Sequence, residues 1–177
     1  MSHDRYSDDL VADILGTVRV IAMVGASANT NRPSYFAMKY LIAKGYAVVP
    51  VNPGLAGQEI LGQKVHATLG EVPAPVDMVD IFRNSEAALE VTREAIALKD
   101  KLGLSVIWMQ LGVRHEQAAA EAEAAGLRVI MNRCPKIEYG RLSGEIGWAG
   151  VNSGVISSVR PKLSPTGVQS HLIPRKG

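Results

Sequence analysis

The sequence predicts an α/β fold, a single domain built on a doubly wound, mostly parallel sheet of five to six strands. Three observations predict it. Short apolar, β-branched runs recur along the chain, segments of ten or more residues at helical spacing alternate with them, and glycine or Asn-Pro punctuation separates each from the next. Strands that alternate with helices need crossover connections, right-handed by the usual chirality, and therefore a parallel sheet covered on both faces. The arrangement is Rossmann-like. Nothing repeats at a solenoid period, and no Ser/Gly-rich linker divides the chain.

In chain order, "DDLVADILG" sets Leu10, Val11, Ile14 and Leu15 at helical spacing and predicts a short amphipathic helix. "VRVIAMV" is apolar apart from Arg19, as a strand buried on both faces reads, and it ends at Gly25. Pro33 suits the first turn of a helix, and Phe36, Tyr40 and Ala43 continue one face to a stop at Lys44-Gly45. "AVVPV" is the second strand, closed by Asn52-Pro53-Gly54. A short strand, holding His66, and one helical turn are expected within "KVHATLGEVPAP". "VDMVDIF" is a strand, with Asn84 or Ser85 placed to cap the helix that carries Ala88, Val91, Ala95, Leu98 and Leu102. "LSVIWMQ", "RHEQAAAEAEAAG" and "LRVIMN" add strand, helix and strand. From Ser143 the chain turns rich in Gly, Ser and Pro, and residues 143–177 read as an appendage packed through Trp148 and Val151.

Composition narrows the function classes. A chain of 177 residues that is 47% hydrophobic and 20% charged can bury a sizeable core. Its one cysteine, Cys134, allows no internal disulfide. The opening "MSHDRYSDDL" lacks a secretory pattern, and no run reaches the roughly 18 apolar residues of a membrane helix. A cytoplasmic protein without a membrane partner is the expectation. All 17 Asp+Glu lie at or before Glu145, whereas Arg160, Lys162, Arg175 and Lys176 follow it. Four charges spread over that tail are too thin to grip a phosphate backbone, so no nucleic acid partner is expected.

Ligands of open parallel sheets sit beyond the carboxyl ends of the strands. Four loops of this chain fall there: "GASANTNRPS", "NPGLAG", "RNSE" and "QLGVRHE". Gly25 permits a tight turn, Ala26 and Ser27 permit close approach, and the following helix start favours a phosphate. Arg32 and Arg83 are candidates to pair with one. A dinucleotide is disfavoured. Only one glycine of the three-glycine fingerprint is present, and the second strand ends Val51-Asn52-Pro53 with no acid to hold a ribose.

"VGASANTNRPSY", "VPVNP", "VDMVDIFRNSE", "WMQLGV" and "MNRCPKIEY" resemble, in order and spacing, a family of small bacterial CoA-binding proteins. That family is itself similar to the CoA-binding domain of the succinyl-CoA synthetase alpha subunit. The resemblance spans residues 8–142 and implies a Rossmann-like domain that binds coenzyme A, or an acyl-CoA, along the carboxyl edge of the sheet. It implies that Gly25, Ala26 and Ser27 wrap the pyrophosphate, with Arg32, Pro33 and Ser34 over it. It further implies that Asn52 and Pro53 flank the adenosine, that Phe82, Arg83 and Asn84 form the floor, and that Gln110 and Gly112 edge the pantetheine path. Relatives often carry a basic residue just after the Asn-Pro; Gly54 stands there in this chain, which implies either a lower CoA affinity or a 3′-phosphate held by Arg83 or Arg32.

No catalytic constellation is apparent, so binding without catalysis is the leading expectation. His3 and His171 are expected in mobile ends, His66 in a structural role and His115 at a helix start. The Glu121 and Glu123 pair reads as a solvated face, and Cys134 as a small buried hydrophobe in preference to a partner for the CoA thiol. Two other classes stay open. One is a CoA-using subunit of an acyl-CoA ligase or transferase, with a partner chain supplying the chemistry. The other is a nucleotide-sensing regulator, disfavoured because the residues before the first strand are too few for a helix-turn-helix. A homodimer is also open.

Overall fold

The computed structural model describes residues 3–145. The expectations for Trp148, Val151, His171 and the basic tail lie outside the described residues. The chain opens with α1 (Asp8–Thr17), β1 (Val20–Val24), α2 (Pro33–Ala43) and β2 (Ala47–Val51). A hairpin of β3 (Glu59–Ile60) and β4 (Gln63–Lys64) follows, then β5 (Met78–Ile81) and α3 (Ser85–Leu102). β6 (Val106–Met109), α4 (Glu116–Ala124), β7 (Arg128–Ile130) and α5 (Pro135–Leu142) complete it.

Five strands form one parallel sheet in the order β2-β1-β5-β6-β7. The expected α/β, doubly wound, Rossmann-like domain is what the chain forms. His66 joins the outer edge through a single parallel bridge to Val51, so the short third strand is reduced to one bridge. The expected helical turn is Leu69–Glu71.

The strands are apolar because both faces are covered. Val11, Ile14, Leu15, Met38, Leu41 and Tyr139 bring α1, α2 and α5 onto one face. Ala88, Val91 and Ala95 of α3 with Ala118 and Ala122 of α4 cover the other. The alanines let those two helices lie close to the sheet. Caps set the helix starts: Ser7, Asn84 and His115 each accept a backbone N–H through the side chain. Asn84, not Ser85, is the cap of α3, and the helix-start role expected of His115 is this one.

Several expectations are corrected. The buried stripe of α2 is Ser34, Ala37, Met38 and Leu41, whereas Phe36 is 51% exposed and Ala43 faces solvent. The helix is apolar on nearly every side, so spacing could not choose a face, and the sheet takes the slimmer one. α5 was not anticipated, although Pro135 at its first position was a signal. The β3–β4 hairpin was missed as well; Leu61 and Gly62 turn it with φ of 51° and 76°.

His3 does not lie in a mobile end. It is buried, hydrogen-bonds to the Tyr6 hydroxyl at 2.9 Å, and has Nε2 3.4 Å from Glu123. The Tyr6 hydroxyl in turn accepts the Met131 N–H at 2.8 Å. The start of the described chain is thereby pinned to α4 and to the end of β7.

The α2 correction is testable by urea unfolding. Leu41→Ala should lower stability by ~2–5 kcal/mol through the cavity it leaves. Phe36→Ala should cost less than about 1 kcal/mol. The reverse order would restore the face that spacing suggested.

Candidate functional site

The strand order reverses at β1, which has β2 on one side and β5 on the other. Gly25 ends β1 at this point. Its N–H donates to the Val51 carbonyl at 2.9 Å, and the Phe82 N–H donates to the Val24 carbonyl at 2.8 Å. Gly25 has φ of +89°, and a Cβ built on it would stand 2.6 Å from the Phe82 carbonyl oxygen. Only glycine fits there.

The loop beyond is braced from within. The Ala26 carbonyl accepts from Asn52 Nδ2 at 2.8 Å, and Asn52 Oδ1 accepts the Gly54 N–H at 2.9 Å. Ser27 Oγ accepts the Asn29 N–H, and Asn29 Oδ1 accepts the Asn31 N–H. The loop then delivers Arg32 as the N-cap of α2, with no side-chain cap bond and Pro33 first in the helix.

Between the starts of α2 and α5, over the carboxyl ends of β5 and β6, lies a cleft of about 580 Å³. Pro33, Phe36 and Ala37 form one wall, and Cys134, Lys136 and Ile137 the other. Phe82, Arg83 and Gln110 form the floor, and Leu111 and Val113, from the loop after β6, complete the lining with Asn31. Arg83 adjoins the glycine turn, its Cδ 3.0 Å from the Cβ position of Gly25. α5, like α2, has no side-chain cap bond, whereas α1, α3 and α4 have one. The two uncapped helices are thus the two that start at the cleft. Their positive dipole ends suit an anion; at α5 the Lys136 and Ile137 N–H groups face the Cys134 sulfur.

Beneath the floor lies an acid in an apolar strand. Asp80 is fully buried, and Gln110 Nε2 donates to both of its carboxyl oxygens at 2.9 and 3.0 Å. Burial pushes its pKa up to about 8, with the Gln110 contact opposing the rise. At neutral pH the group is mostly uncharged and does not repel an anion above it. Burial also raises the Cys134 thiol, Asp80 adds to that rise, and the Ile137 and Lys136 N–H groups oppose it. Cys134 is therefore a neutral thiol in the wall, a poor nucleophile.

The expected site residues divide into two neighbouring groups. Pro33, Phe82, Arg83 and Gln110 line the cleft; Gly25, Ala26, Ser27, Asn52 and Pro53 form the turn and loop beside it. Arg32 caps α2, and Ser34 is buried on the stripe of α2 that faces the sheet. The Asn84 side chain is committed to the Ala87 N–H. Gly112 has φ of +84° and donates its N–H to Asn132 Oδ1 at 2.8 Å, which shapes the loop after β6. Sequence reasoning did not assign Phe36, Ala37, Leu111, Val113, Lys136 or Ile137 to the site. The signal for the floor was visible: Asp80 is a carboxylate inside an otherwise apolar strand. Among the described residues no group of three His, Cys, Asp or Glu side chains is placed to hold a metal ion, and no helix is long and apolar enough to cross a membrane.

Comparison with known proteins gives a family match and relatives. The family described as CoA binding domain matches residues 19–140. An uncharacterised protein of Bacillus subtilis, YneT, is 33% identical over 129 residues, which cover 73% of this chain and 91% of that one. A hypothetical protein of Pyrococcus horikoshii OT3 superposes with a TM-score of 0.72 at 34% identity, covering 80% of this chain and 99% of that one. A dinucleotide-forming acetyl-coenzyme A synthetase of Ca. Korarchaeum cryptofilum, in complex with phosphate and ADP, matches over 72% of this chain and 28% of its own. Its TM-score is 0.58 at 24% identity, a likeness of fold alone.

Two outcomes test this geometry. Gly25→Ala should lower stability by at least about 2 kcal/mol in urea unfolding, because it meets both a left-handed backbone and the Phe82 carbonyl. Asp80 binds its proton more tightly when folded, so the stability it contributes is complete below its ordinary value of 3.8 and is lost as pH rises through about 8. The urea midpoint should therefore fall between pH 5 and pH 8.5, and fall less in Asp80→Asn. An equal fall in both proteins would show that Asp80 is not the group responsible.

Proposed function

We propose that this chain, which belongs to the CoA binding domain family, binds coenzyme A or an acyl-CoA at the carboxyl edge of its sheet. The observation that carries the reading is convergence. The glycine turn, the Arg83 guanidinium and the two uncapped helix starts meet at one cleft of about 580 Å³ beside the point where strand order reverses. That volume lies within the range of ordinary ligand sites.

The residues present fit such a ligand. The backbone at Gly25, Ala26 and Ser27 and the start of α2 at Arg32, Pro33 and Ser34 suit a pyrophosphate. Asn52 and Pro53 lie at the adenosine end. The Asn52 side chain is held by Ala26 and Gly54, so its part is to shape the loop. Asn84 likewise contributes backbone. Phe82, Arg83, Gln110 and Gly112 lead toward the cleft for the pantetheine arm. With Gly54 in place of a basic residue, Arg83 is our choice for the 3′-phosphate, since it adjoins the glycine turn. The role is one of binding, in a domain of residues 8–142; a bound coenzyme would supply a thiol that carries acyl groups.

Calorimetry on the purified chain tests the reading. CoA should bind about tenfold or more tightly than dephospho-CoA, in keeping with one lost charge-assisted contact. NAD should give no heat, and Arg83→Ala should bring CoA down to the dephospho-CoA level. The reading falls if CoA gives no heat, or if NAD binds equally well.

A further inference from the structure

The outer part of the cleft has a character that a coenzyme alone does not explain. Phe36 and Leu111 are the large apolar side chains left exposed among the described residues, at 51% and 54%, and both line this cleft. Ile137 extends the same surface and Val113, buried in one core, backs it; neither Phe36, Leu111 nor Ile137 belongs to either apolar core. Exposed apolar surface gathered into one concave place marks a binding site. The nearby groups that bear polarity turn it elsewhere. The Lys136 ammonium lies 6.0 Å over the Tyr40 ring. The Cys134 thiol is held neutral by burial. The Gln110 amide nitrogen is engaged with Asp80.

The cleft thus has two ends of different chemistry. At the glycine turn it offers Arg83 and Asn31; from the loop after β6 and the two wall helices it offers carbon from Leu111, Val113, Phe36 and Ile137. A pantetheine arm carries two amides, and each needs a polar partner when it is buried. The polar end supplies side-chain partners in Arg83 and Asn31, and the side chains of the apolar end supply none. An aliphatic chain reverses that preference.

We infer that the apolar end is an acyl subsite, and that the ligand class of this chain is an acyl-CoA thioester with an aliphatic acyl group. This rests on the CoA reading above. Burial of two methylenes alone is worth about a tenfold gain in affinity.

The test is calorimetry with CoA, acetyl-CoA and hexanoyl-CoA on the full chain and on its Leu111→Gln and Ile137→Gln variants. Both replaced side chains lie outside the two cores, and circular dichroism checks that each variant is folded. In the wild-type chain hexanoyl-CoA should bind at least tenfold more tightly than CoA, with acetyl-CoA close to CoA. The ratio of hexanoyl-CoA to CoA affinity, measured within each protein, should fall at least threefold in each variant. Equal affinities for CoA and hexanoyl-CoA in the wild-type chain would overturn the acyl subsite while leaving the CoA reading standing, and would leave Phe36 and Leu111 to a protein neighbour. A gain that survives both substitutions would show that the acyl group lies outside this cleft, which also overturns the assignment. Absence of binding by all three ligands would overturn the CoA reading and the subsite together.

Discussion

The close approach of Gly25 to the backbone of Phe82 is the constraint on which the rest of the site depends. A Cβ at Gly25 would stand 2.6 Å from the Phe82 carbonyl oxygen, so β1 and β5 can finish side by side only if the first strand ends in glycine. That contact fixes where the chain leaves the sheet. It sends the Ala26–Asn31 loop over the end of β2, where Asn52 fastens it, and it delivers α2 with its N-terminus uncapped. The loop after β5 must pass directly beneath, which places Phe82 and Arg83 on the floor. One backbone contact thus positions the turn, the helix start and the guanidinium together.

The electrostatics of the cleft follow from what lies under it. An ionised Asp80 would set a negative charge near the place where a phosphate is expected, and full burial prevents this by raising its pKa to about 8. Gln110 satisfies the carboxyl group and remains part of the floor. The positive features are Arg83, at the end of the floor beside the glycine turn, and the starts of α2 and α5, while the rest of the floor is uncharged. An anion at the rim with an uncharged remainder reaching inward is the ligand shape such a gradient accepts.

Much of this was legible in the sequence, for identifiable reasons. Strands buried on both faces are mostly apolar, glycine ends the first and Asn-Pro the second, so β1, β2, β5, β6 and β7 and the helices between them could be read directly. The glycine turn was legible because only glycine fits there, and Arg83 because a guanidinium just past a buried strand is a ready partner for an anion. The walls of the cleft were not. Phe36 reads as a core residue in a helix apolar on nearly all sides, and only the sheet decides that Ala37, Met38 and Leu41 face inward. α5 is short and begins at Pro135 directly after the last strand segment, so its contribution of Cys134, Lys136 and Ile137 depended on tertiary placement. His3 escaped for a similar reason: its burial comes from Tyr6 and Glu123, which no local pattern links to it.

The central claim is that ligand and glycine turn meet at one place. The most direct measurement is a backbone amide chemical-shift map of the isotopically labelled chain, recorded as CoA is added. The largest changes should fall at Gly25, Ala26, Ser27 and Arg83 and in the first turns of α2 and α5, with the β3–β4 hairpin and α4 unmoved. Changes centred on that hairpin or on α4, with the amides around Gly25 still, would contradict it.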